Sequence, residues 1–344
     1  MSFLTRSTAQ FSKVLTLQLP QAAKPTFARS IHSSTIRNSS ATMTTATFKY
    51  IDPSSYDPSK TAPFEKPWGK VDGPGRSFRL LDRERSVYNI RGQESEFHPD
   101  KSGFGVYHYP AQEKLFEDDN AVREGYYKEV EGVLKAKLPG IKKVVIFDHT
   151  IRRRKRDAPR QPVQQVHVDQ TPQAAEARVR RHLPKDEAEE LLKGRYQIIN
   201  VWRPIENPAS DFPLAVVDWR STTPSDFVKV DLLYPKREAE HDIDDRGKEK
   251  LPDPNSVSST DGYEVRGETF GVAPSDSHKF YYLKDMTPDE TMFIKCFDSR
   301  GQGLPGGKEG LAVCTPHTAF IDPNTPADAP GRRSIEVRCL VFYD

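Results

Sequence analysis

Cysteine is scarce in this chain of 344 residues, which has only Cys296, Cys314 and Cys339, far apart from one another. Three isolated thiols provide neither a disulfide framework nor a Cys-x-x-Cys motif for zinc or redox chemistry. We expect them to be reduced and mostly buried. The chain also has no apolar run near the ~18 residues that span a bilayer, so we expect no membrane partner.

Neither sign of charge is in large excess, because 51 Lys and Arg face 49 Asp and Glu. This near balance excludes a strongly basic nucleic-acid binder, and we expect no nucleic-acid partner. The 28 prolines exceed the usual share of ~5% and predict many loops. The 18 Phe, 13 Tyr and 3 Trp provide enough bulk for a sizeable core.

Acidic residues are absent from positions 1–50, which carry six basic residues and are rich in Ser and Thr. This composition is typical of a mitochondrial transit peptide, although a disordered tail has the same composition. A translation start at Met43 would remove the segment and give a cytoplasmic form. We expect residues 1–44 to be a targeting or disordered segment and residues 45–344 to form a single domain.

The predicted domain begins with an N-terminal arm and a helix over residues 45–140, followed by a core over residues 141–344. Helical spacing of apolar residues from Val122 to Leu134, before Pro139, predicts that helix. The basic run 152–156 has the composition of a solvated loop, with a nuclear signal or an anion-binding patch as the alternatives. Thr171 and Pro172 predict a helix start, with helices over 173–183 and 185–192.

Short runs rich in aromatic and β-branched residues dominate the sequence after position 195, and Pro, Gly and Asp separate them. They predict a mainly β fold with flanking helices, built as a sandwich or a barrel. The charged segment 235–262 is poor in apolar residues and is predicted to be a mobile loop. The runs cover residues 197–203, 213–220, 227–234, 270–273, 280–283, 292–297, 311–320 and 334–343.

A candidate metal site begins at His167-Val168-Asp169, where alternation on a strand places His167 and Asp169 on one face, ~6.6 Å apart. A facial triad of two histidines and one carboxylate needs a further histidine from a later strand. His182, His241, His278 and His317 are available downstream. His317 is favoured because it lies in an apolar strand pattern, ahead of a final strand with polar residues on one face.

That final strand carries Arg332, Ser334, Glu336 and Arg338 on one face. An Arg fork and a hydroxyl two residues apart suit a carboxylate such as the distal group of 2-oxoglutarate. Arg332 and Ser334 are therefore the candidate co-substrate ligands, with Arg338 as the second choice. Ordinary salt bridges with Glu336 remain an alternative for the two arginines.

Five stretches together resemble the fungal hydroxylase/desaturase group. That group includes gibberellin desaturase-like enzymes and proteins similar to one chain of the bacterial cephamycin methoxylase system. The resemblance covers about residues 45–344. The stretches are 147–150 (FDHT), 167–171 (HVDQT), 200–204 (NVWRP), 314–320 (CTPHTAF) and 332–338 (RRSIEVR).

The resemblance implies a double-stranded β-helix, the cupin-like jelly-roll core of oxygenases that depend on Fe(II) and 2-oxoglutarate. It implies His167, Asp169 and His317 as iron ligands and Arg332 with Ser334 as the 2-oxoglutarate clamp, and O2 as co-substrate. Residues near such a site could contact the substrate. These candidates are His149, Arg195, Asn200, Trp202 and Arg203.

We expect an enzyme of secondary metabolism that hydroxylates or desaturates a small organic substrate. The alternatives are a non-catalytic or partner-dependent β-sandwich protein, and a methyltransferase or zinc enzyme on the same ligand set. Residues 301–306 match Gly-x-Gly-x-x-Gly, but Pro305 and the glycines after it cannot open a helix to receive a nucleotide. A turn is predicted there.

Overall fold

The computed structural model describes residues 43–71, 73, 75–154, 162–236 and 257–343. The predicted targeting segment, apart from its last two residues, lies outside the described residues, as does most of the predicted mobile loop. The described chain is mainly β with few helices, which confirms the predicted class. Among the described residues, no helix is long and apolar enough to cross a membrane. All three cysteines are buried and free, as expected.

Fourteen strands make up the sheets of the described chain. In chain order they are β1 (Met43–Ile51), β2 (Trp68–Lys70), β3 (Leu80–Asn89), β4 (Phe104–His108), β5 (Lys143–Arg153), β6 (His167–Val168), β7 (Tyr196–Pro204), β8 (Leu214–Val217), β9 (Phe227–Pro235), β10 (Tyr263–Val272), β11 (Phe280–Tyr282), β12 (Glu290–Asp298), β13 (His317–Ala319) and β14 (Arg333–Phe342).

These strands form two sheets. The larger has nine strands in the order β1-β3-β11-β8-β13-β6-β10-β9-β2, and the smaller has five in the order β4-β12-β7-β14-β5. A buried apolar cluster contains Trp202 of the smaller sheet and Val216 of the larger one, so the two sheets pack on each other. The candidate site lies between them.

Helices flank the smaller sheet. Helix α1 (Asp119–Ala121) begins at an Asp118 cap and continues through a π-helical turn (Val122–Tyr126) into α2 (Tyr127–Lys137). Tyr126, Val130 and Leu134 pack there on Val201 and Val337 of the sheet. Thr171 caps α3 (Pro172–His182) by accepting a hydrogen bond from the Ala174 N–H at 3.2 Å, and α4 (Lys185–Leu191) follows.

Several strand ends differ from the sequence prediction. Strand β1 starts at Met43, inside the predicted tail, because all of it pairs with β3, from Met43 opposite Tyr88 to Ile51 opposite Leu80. Strand β5 continues through Arg153, so the basic run begins in a strand and not in a loop, because its backbone pairs with β14 as far as Arg333. Strand β10 begins at Tyr263, and the predicted strand 311–320 is reduced to the three residues of β13.

Candidate metal centre and active site

His167, Asp169 and His317 come together, each offering one ligand atom, and the three atoms lie within 4.8 Å of one another. The pairing of β6 with β13 sets His167 directly opposite His317. Asp169 follows β6, and its Oδ1 lies 3.3 Å from His167 Nε2 and 3.7 Å from His317 Nε2. His167 of β6, Asp169 just after β6 and His317 of the neighbouring strand β13 thus converge on one point.

Backbone carbonyls orient both imidazoles. The Nδ1–H of His167 donates to the Gln165 carbonyl at 2.7 Å, and that of His317 donates to the Thr315 carbonyl at 3.1 Å. A carbonyl can only accept, so these bonds fix the proton on Nδ1 and direct Nε2 toward Asp169. Such outer hydrogen bonds are the usual means by which proteins orient metal-binding histidines.

The charges around the site keep Asp169 ionised. Burial would raise the pKa of the Asp169 carboxyl, but the His167 hydrogen bond and the nearby charges of Arg338 and His317 hold it well below its usual range. Burial and the neighbouring His167 lower the pKa of His317. The pKa of His167 is raised in spite of its burial, because it bonds to Asp169. A mostly buried, ionised carboxylate and a neutral imidazole are therefore present for a cation.

The donor set fits a non-haem iron ion. Two imidazole nitrogens and one carboxylate oxygen on one side form the facial triad of non-haem Fe(II) oxygenases, which leaves other positions open for co-substrate and substrate. The other candidate histidines that the structure describes, His182 and His278, do not join this group. His182 stacks on Phe147, while His278 contacts Tyr50 and Asp226. His241 lies outside the described residues.

A cavity opens beside the three residues, lined by β5, β7, β8, β13, β14 and adjacent chain segments. Its lining includes Arg332, Ser334, Glu336 and Arg338, which confirms that these four residues share a face. Trp202 also lines it. The other lining residues are Thr150, Arg152, Val163, Leu214, Thr318 and Ala319, together with His167, Asp169 and His317.

Arg332 is a buried cation with few partners. Its Nη1 donates to the Phe212 carbonyl at 2.9 Å, its Nε has no hydrogen-bond partner, and its guanidinium stands 5.8 Å from the Trp202 ring. Burial and the nearby Arg152 lower the pKa of Arg332 to about 10. Ser334 lies two residues further along, buried at the same cavity wall. A buried guanidinium with an unpartnered donor is suited to bind an anionic ligand that enters the cavity.

Arg338 and Asn200 both contact Asp169. The Asn200 side-chain amide donates to Asp169 Oδ2 at 2.7 Å, and Arg338 Nε lies 3.4 Å from the same oxygen. Asn200 is fully buried and is not part of the cavity lining. The roles predicted from the sequence, substrate binding for Asn200 and co-substrate binding for Arg338, stay predictions.

Besides Asn200, three other predicted substrate residues lie away from the cavity lining. Arg203 points from β7 toward the helices and donates to Tyr126 Oη at 3.0 Å. Arg195 is paired with Asp298 at 2.7 Å. His149 contacts the Tyr127 hydroxyl at 2.8 Å on the same helix-covered side as Arg203. Their substrate roles have no supporting contact among the described residues and stay predictions.

Sequence reasoning missed the β5 side of the cavity. Thr150 and Arg152 line it, and Arg152 lies directly opposite Ser334 of β14. Their two-residue spacing is the strand signal that could have revealed them. The signal was hidden because Arg152 opens a run of five basic residues, which is typical of a loop.

Known proteins resemble this chain over most of its length. The family described as oxidoreductase/YMDC permease-like domain matches residues 48–342. Hydroxylase/desaturase efuI of Hormonema carpetanum is 32% identical over 274 residues, which are 75% of this chain and 83% of that protein. Aspirochlorine biosynthesis protein N of Aspergillus oryzae is 41% identical over 175 residues, which are 51% of this chain and 59% of that protein.

The fold is also similar to solved structures. One is described as an iron and alpha-ketoglutarate-dependent endoperoxidase, NvfI, with a TM-score of 0.68 and 27% sequence identity. The match covers 88% of this chain and 99% of that chain. Because such oxygenases have a jelly-roll core, the likeness confirms the predicted double-stranded β-helix. The resemblance to fungal hydroxylase/desaturases is likewise confirmed.

Proposed function

The chain belongs to the fungal hydroxylase/desaturase family, and from that premise we propose that it is an Fe(II)- and 2-oxoglutarate-dependent oxygenase. Its substrate class is a small organic molecule of secondary metabolism, which it hydroxylates or desaturates. The observation that carries the proposal is the convergence of His167, Asp169 and His317 within 4.8 Å at the wall of a cavity.

His167, Asp169 and His317 would hold the iron through two Nε2 atoms and one carboxylate oxygen. When bound, Fe(II) with 2-oxoglutarate and O2 supplies the oxidation: 2-oxoglutarate becomes succinate and CO2, and the substrate is hydroxylated or loses two hydrogens to give an alkene and water. The protein's part is to orient these reactants and to exclude water.

Arg332 and Ser334 would bind the distal carboxylate of 2-oxoglutarate. The guanidinium is buried, its Nε is unpartnered, and a charge-assisted bond to a carboxylate would supply the acceptor it lacks. Trp202 and Leu214 form an apolar part of the wall of the same cavity, and they would pack against the carbon skeleton of the substrate. This division leaves the metal ligands at one part of the cavity and the anion site at another.

The test uses the full chain, purified without oxygen and loaded with Fe(II). With 2-oxoglutarate, O2 and a fungal metabolite extract, we expect succinate to form, and we expect His317→Ala to reduce it to background because the metal loses a ligand. Arg333→Gln, which replaces an exposed residue of β14, serves as the control. It should keep wild-type turnover, because Arg333 pairs with Glu206 on the surface.

Two results would contradict the proposal. One is the absence of iron binding together with succinate at background in every extract, which would favour a non-catalytic protein. The other is zinc at full occupancy in protein isolated from its host, with hydrolytic and no oxidative turnover, which would favour a zinc enzyme on the same ligand set.

A further inference from the structure

Asp169 links the two sheets at the candidate iron site. His167 and His317 are cross-strand neighbours in the nine-stranded sheet, and Asn200 and Arg338 are cross-strand neighbours in the five-stranded sheet. The Asp169 carboxylate lies between these pairs. Its Oδ1 is the oxygen nearest to both histidines, and its Oδ2 is the oxygen that both Asn200 and Arg338 contact.

The two donors to Oδ2 are themselves held in place. Asn200 is fully buried in β7, and its amide donates at 2.7 Å. Arg338 approaches Oδ2 with Nε at 3.4 Å while its two other nitrogens are bound by acceptors of the smaller sheet. These acceptors are Asp148 at 3.1 Å, Thr150 at 3.0 Å and Glu336 at 2.6 Å. A planar guanidinium fixed at this many points cannot turn away to another ligand.

We propose that Asn200 and Arg338 are positioning residues that hold Oδ2 of Asp169, so that Oδ1 alone is offered to the metal. The inference rests on the proposed function. A carboxylate with both oxygens free can rotate or bind a cation with either oxygen or with both, whereas two donors on one oxygen favour a single orientation. Arg338 also compensates the negative charge of this mostly buried carboxylate.

This assignment differs from direct contact with small molecules. Asn200 does not line the cavity, and its side-chain amide donates to Asp169, so it would not contact a substrate bound there. Arg338 does line the cavity, but Asp148, Thr150, Glu336 and Asp169 occupy its donors. Arg332, in contrast, has a side-chain donor, Nε, without a hydrogen-bond partner.

The experiment measures metal affinity and not turnover. Fe(II), and Co(II) as a stable probe, are titrated without oxygen into the metal-free full chain of the wild type, Asn200→Leu and Arg338→Met. We expect both variants to bind metal roughly 10–100-fold more weakly, the usual effect of removing an outer partner of a metal ligand. Arg333→Gln, on the same strand but exposed, should match the wild type.

Further measurements separate positioning from other roles. At saturating metal, the dissociation constant of 2-oxoglutarate should change little in Asn200→Leu. Arg338→Lys keeps the charge but not the fork, and its metal affinity should fall between those of Arg338→Met and the wild type. Thermal unfolding of each metal-free variant measures folding separately, and Asn200→Leu carries the test if an Arg338 variant fails to fold.

Two outcomes would overturn the inference. In the first, metal affinity is unchanged while binding of 2-oxoglutarate or substrate weakens, which would make the two residues ligand contacts. In the second, metal-free stability falls while the folded variants bind metal normally, which would make them structural. If the wild type itself bound neither Fe(II) nor Co(II), the proposed function would fail. That result is distinct from the two outcomes above, in which the wild type binds metal.

Discussion

At the scale of single residues, two arginines on one wall of the cavity have opposite electrostatic surroundings. Burial lowers the pKa of Arg332 to about 10, and the nearby Arg152 adds to this. Burial would also lower the pKa of Arg338, but Glu336, Asp169 and Asp148 raise it above its ordinary value. Arg338 is therefore a compensated part of the protein, whereas Arg332 is a buried cation that gains most from an incoming carboxylate.

The replacement Arg332→Met tests this difference. It removes a weakly compensated buried charge and keeps an unbranched side chain, so we expect the unfolding free energy of the ligand-free protein to change by no more than about 1 kcal/mol. One charged hydrogen bond contributes about 1.5–3 kcal/mol, so the dissociation constant of 2-oxoglutarate should rise about 10–150-fold. Anaerobic titration of the Fe(II)-loaded protein measures it.

Arg333→Gln is the matched control for Arg332→Met, since it removes the adjacent but exposed arginine and should leave 2-oxoglutarate binding unchanged. Iron affinity should stay at the wild-type value in both variants, because Arg332 makes no contact with the three ligand side chains. Unchanged 2-oxoglutarate binding in Arg332→Met, with a loss confined to Arg338 variants, would show that the carboxylate binds at Arg338.

At the scale of elements, alternation along strands was the most informative sequence signal. It separated Asn200 and Trp202 from Val201 and Arg203 on β7, and the structure has the first pair facing the cavity side and the second facing the helices. Periodicity assigns residues to two faces but does not say which face is inner. Arg203, predicted from the sequence to pair a substrate carboxylate, lies on the helix-covered face.

Strand ends and partners were less predictable, for a physical reason. The backbone pairing of β5 with β14 overrides the loop preference of Arg152 and Arg153, and that pairing is not encoded locally. Conversely, the apolar residues 311–320 suggested a long strand, yet only His317–Ala319 find a partner in the sheet. The convergence of His167 and His317, which lie 150 positions apart, likewise depends on sheet order. The apolar strand pattern around His317 favours it among the downstream histidines, and the family resemblance implies it as an iron ligand.

Tyr126→Phe tests whether Arg203 belongs to the fold or to the substrate site. Tyr126 ends the π-helical turn, and its hydroxyl accepts from Arg203 Nε at 3.0 Å in the helix-covered core. Removing that acceptor leaves a buried donor unsatisfied, so we expect the unfolding free energy to fall by about 1–3 kcal/mol. We expect kcat/KM to stay at the wild-type value. Chemical denaturation and steady-state kinetics measure the two quantities.

Tyr88→Phe provides the comparison for Tyr126→Phe, because Tyr88 is an exposed residue of β3 and the loss of its hydroxyl should leave stability nearly unchanged. A Tyr126→Phe protein of wild-type stability but with a higher KM for the organic substrate would reverse the assignment. Arg203 would then act on the substrate, as the sequence analysis predicted.

At the scale of the whole molecule, a buried ionic cluster ties distant parts of the chain together. Lys295 of β12 is fully buried and pairs with Asp298 at 2.7 Å and with Asp100, which precedes β4, at 2.8 Å. Arg195, just before β7, pairs with the same two carboxylates. Two cations and two anions balance in the cluster, so removing one charge leaves another without compensation.

The pKa values of the cluster give its stability a direction with pH. Burial would raise the pKa of both carboxyls, but Lys295 and Arg195 lower that of Asp298 and bring that of Asp100 to about 2. An acid whose pKa is lower in the folded protein than in the unfolded chain stabilises the fold above its unfolded pKa, ~4, and this stability is lost as the pH falls through the folded value. We expect the unfolding free energy to decline as the pH falls from about 4 toward 2.

Lys295→Met tests the cluster as a determinant of the whole fold. The variant leaves a buried carboxylate of Asp298 with less compensation, so we expect a loss of about 3–5 kcal/mol of unfolding free energy at neutral pH. Protonation of that carboxylate removes the charge that Lys295 compensates, so the difference from the wild type should shrink as the pH is lowered toward about 3. Urea denaturation of both proteins at several pH values measures these differences.

Lys49→Met, which breaks an exposed pair with Asp82, is the control and should cost under about 1 kcal/mol of unfolding free energy at every pH. An equal loss for Lys295→Met at all pH values would show that the cost comes from packing of the lysine stem and not from its charge.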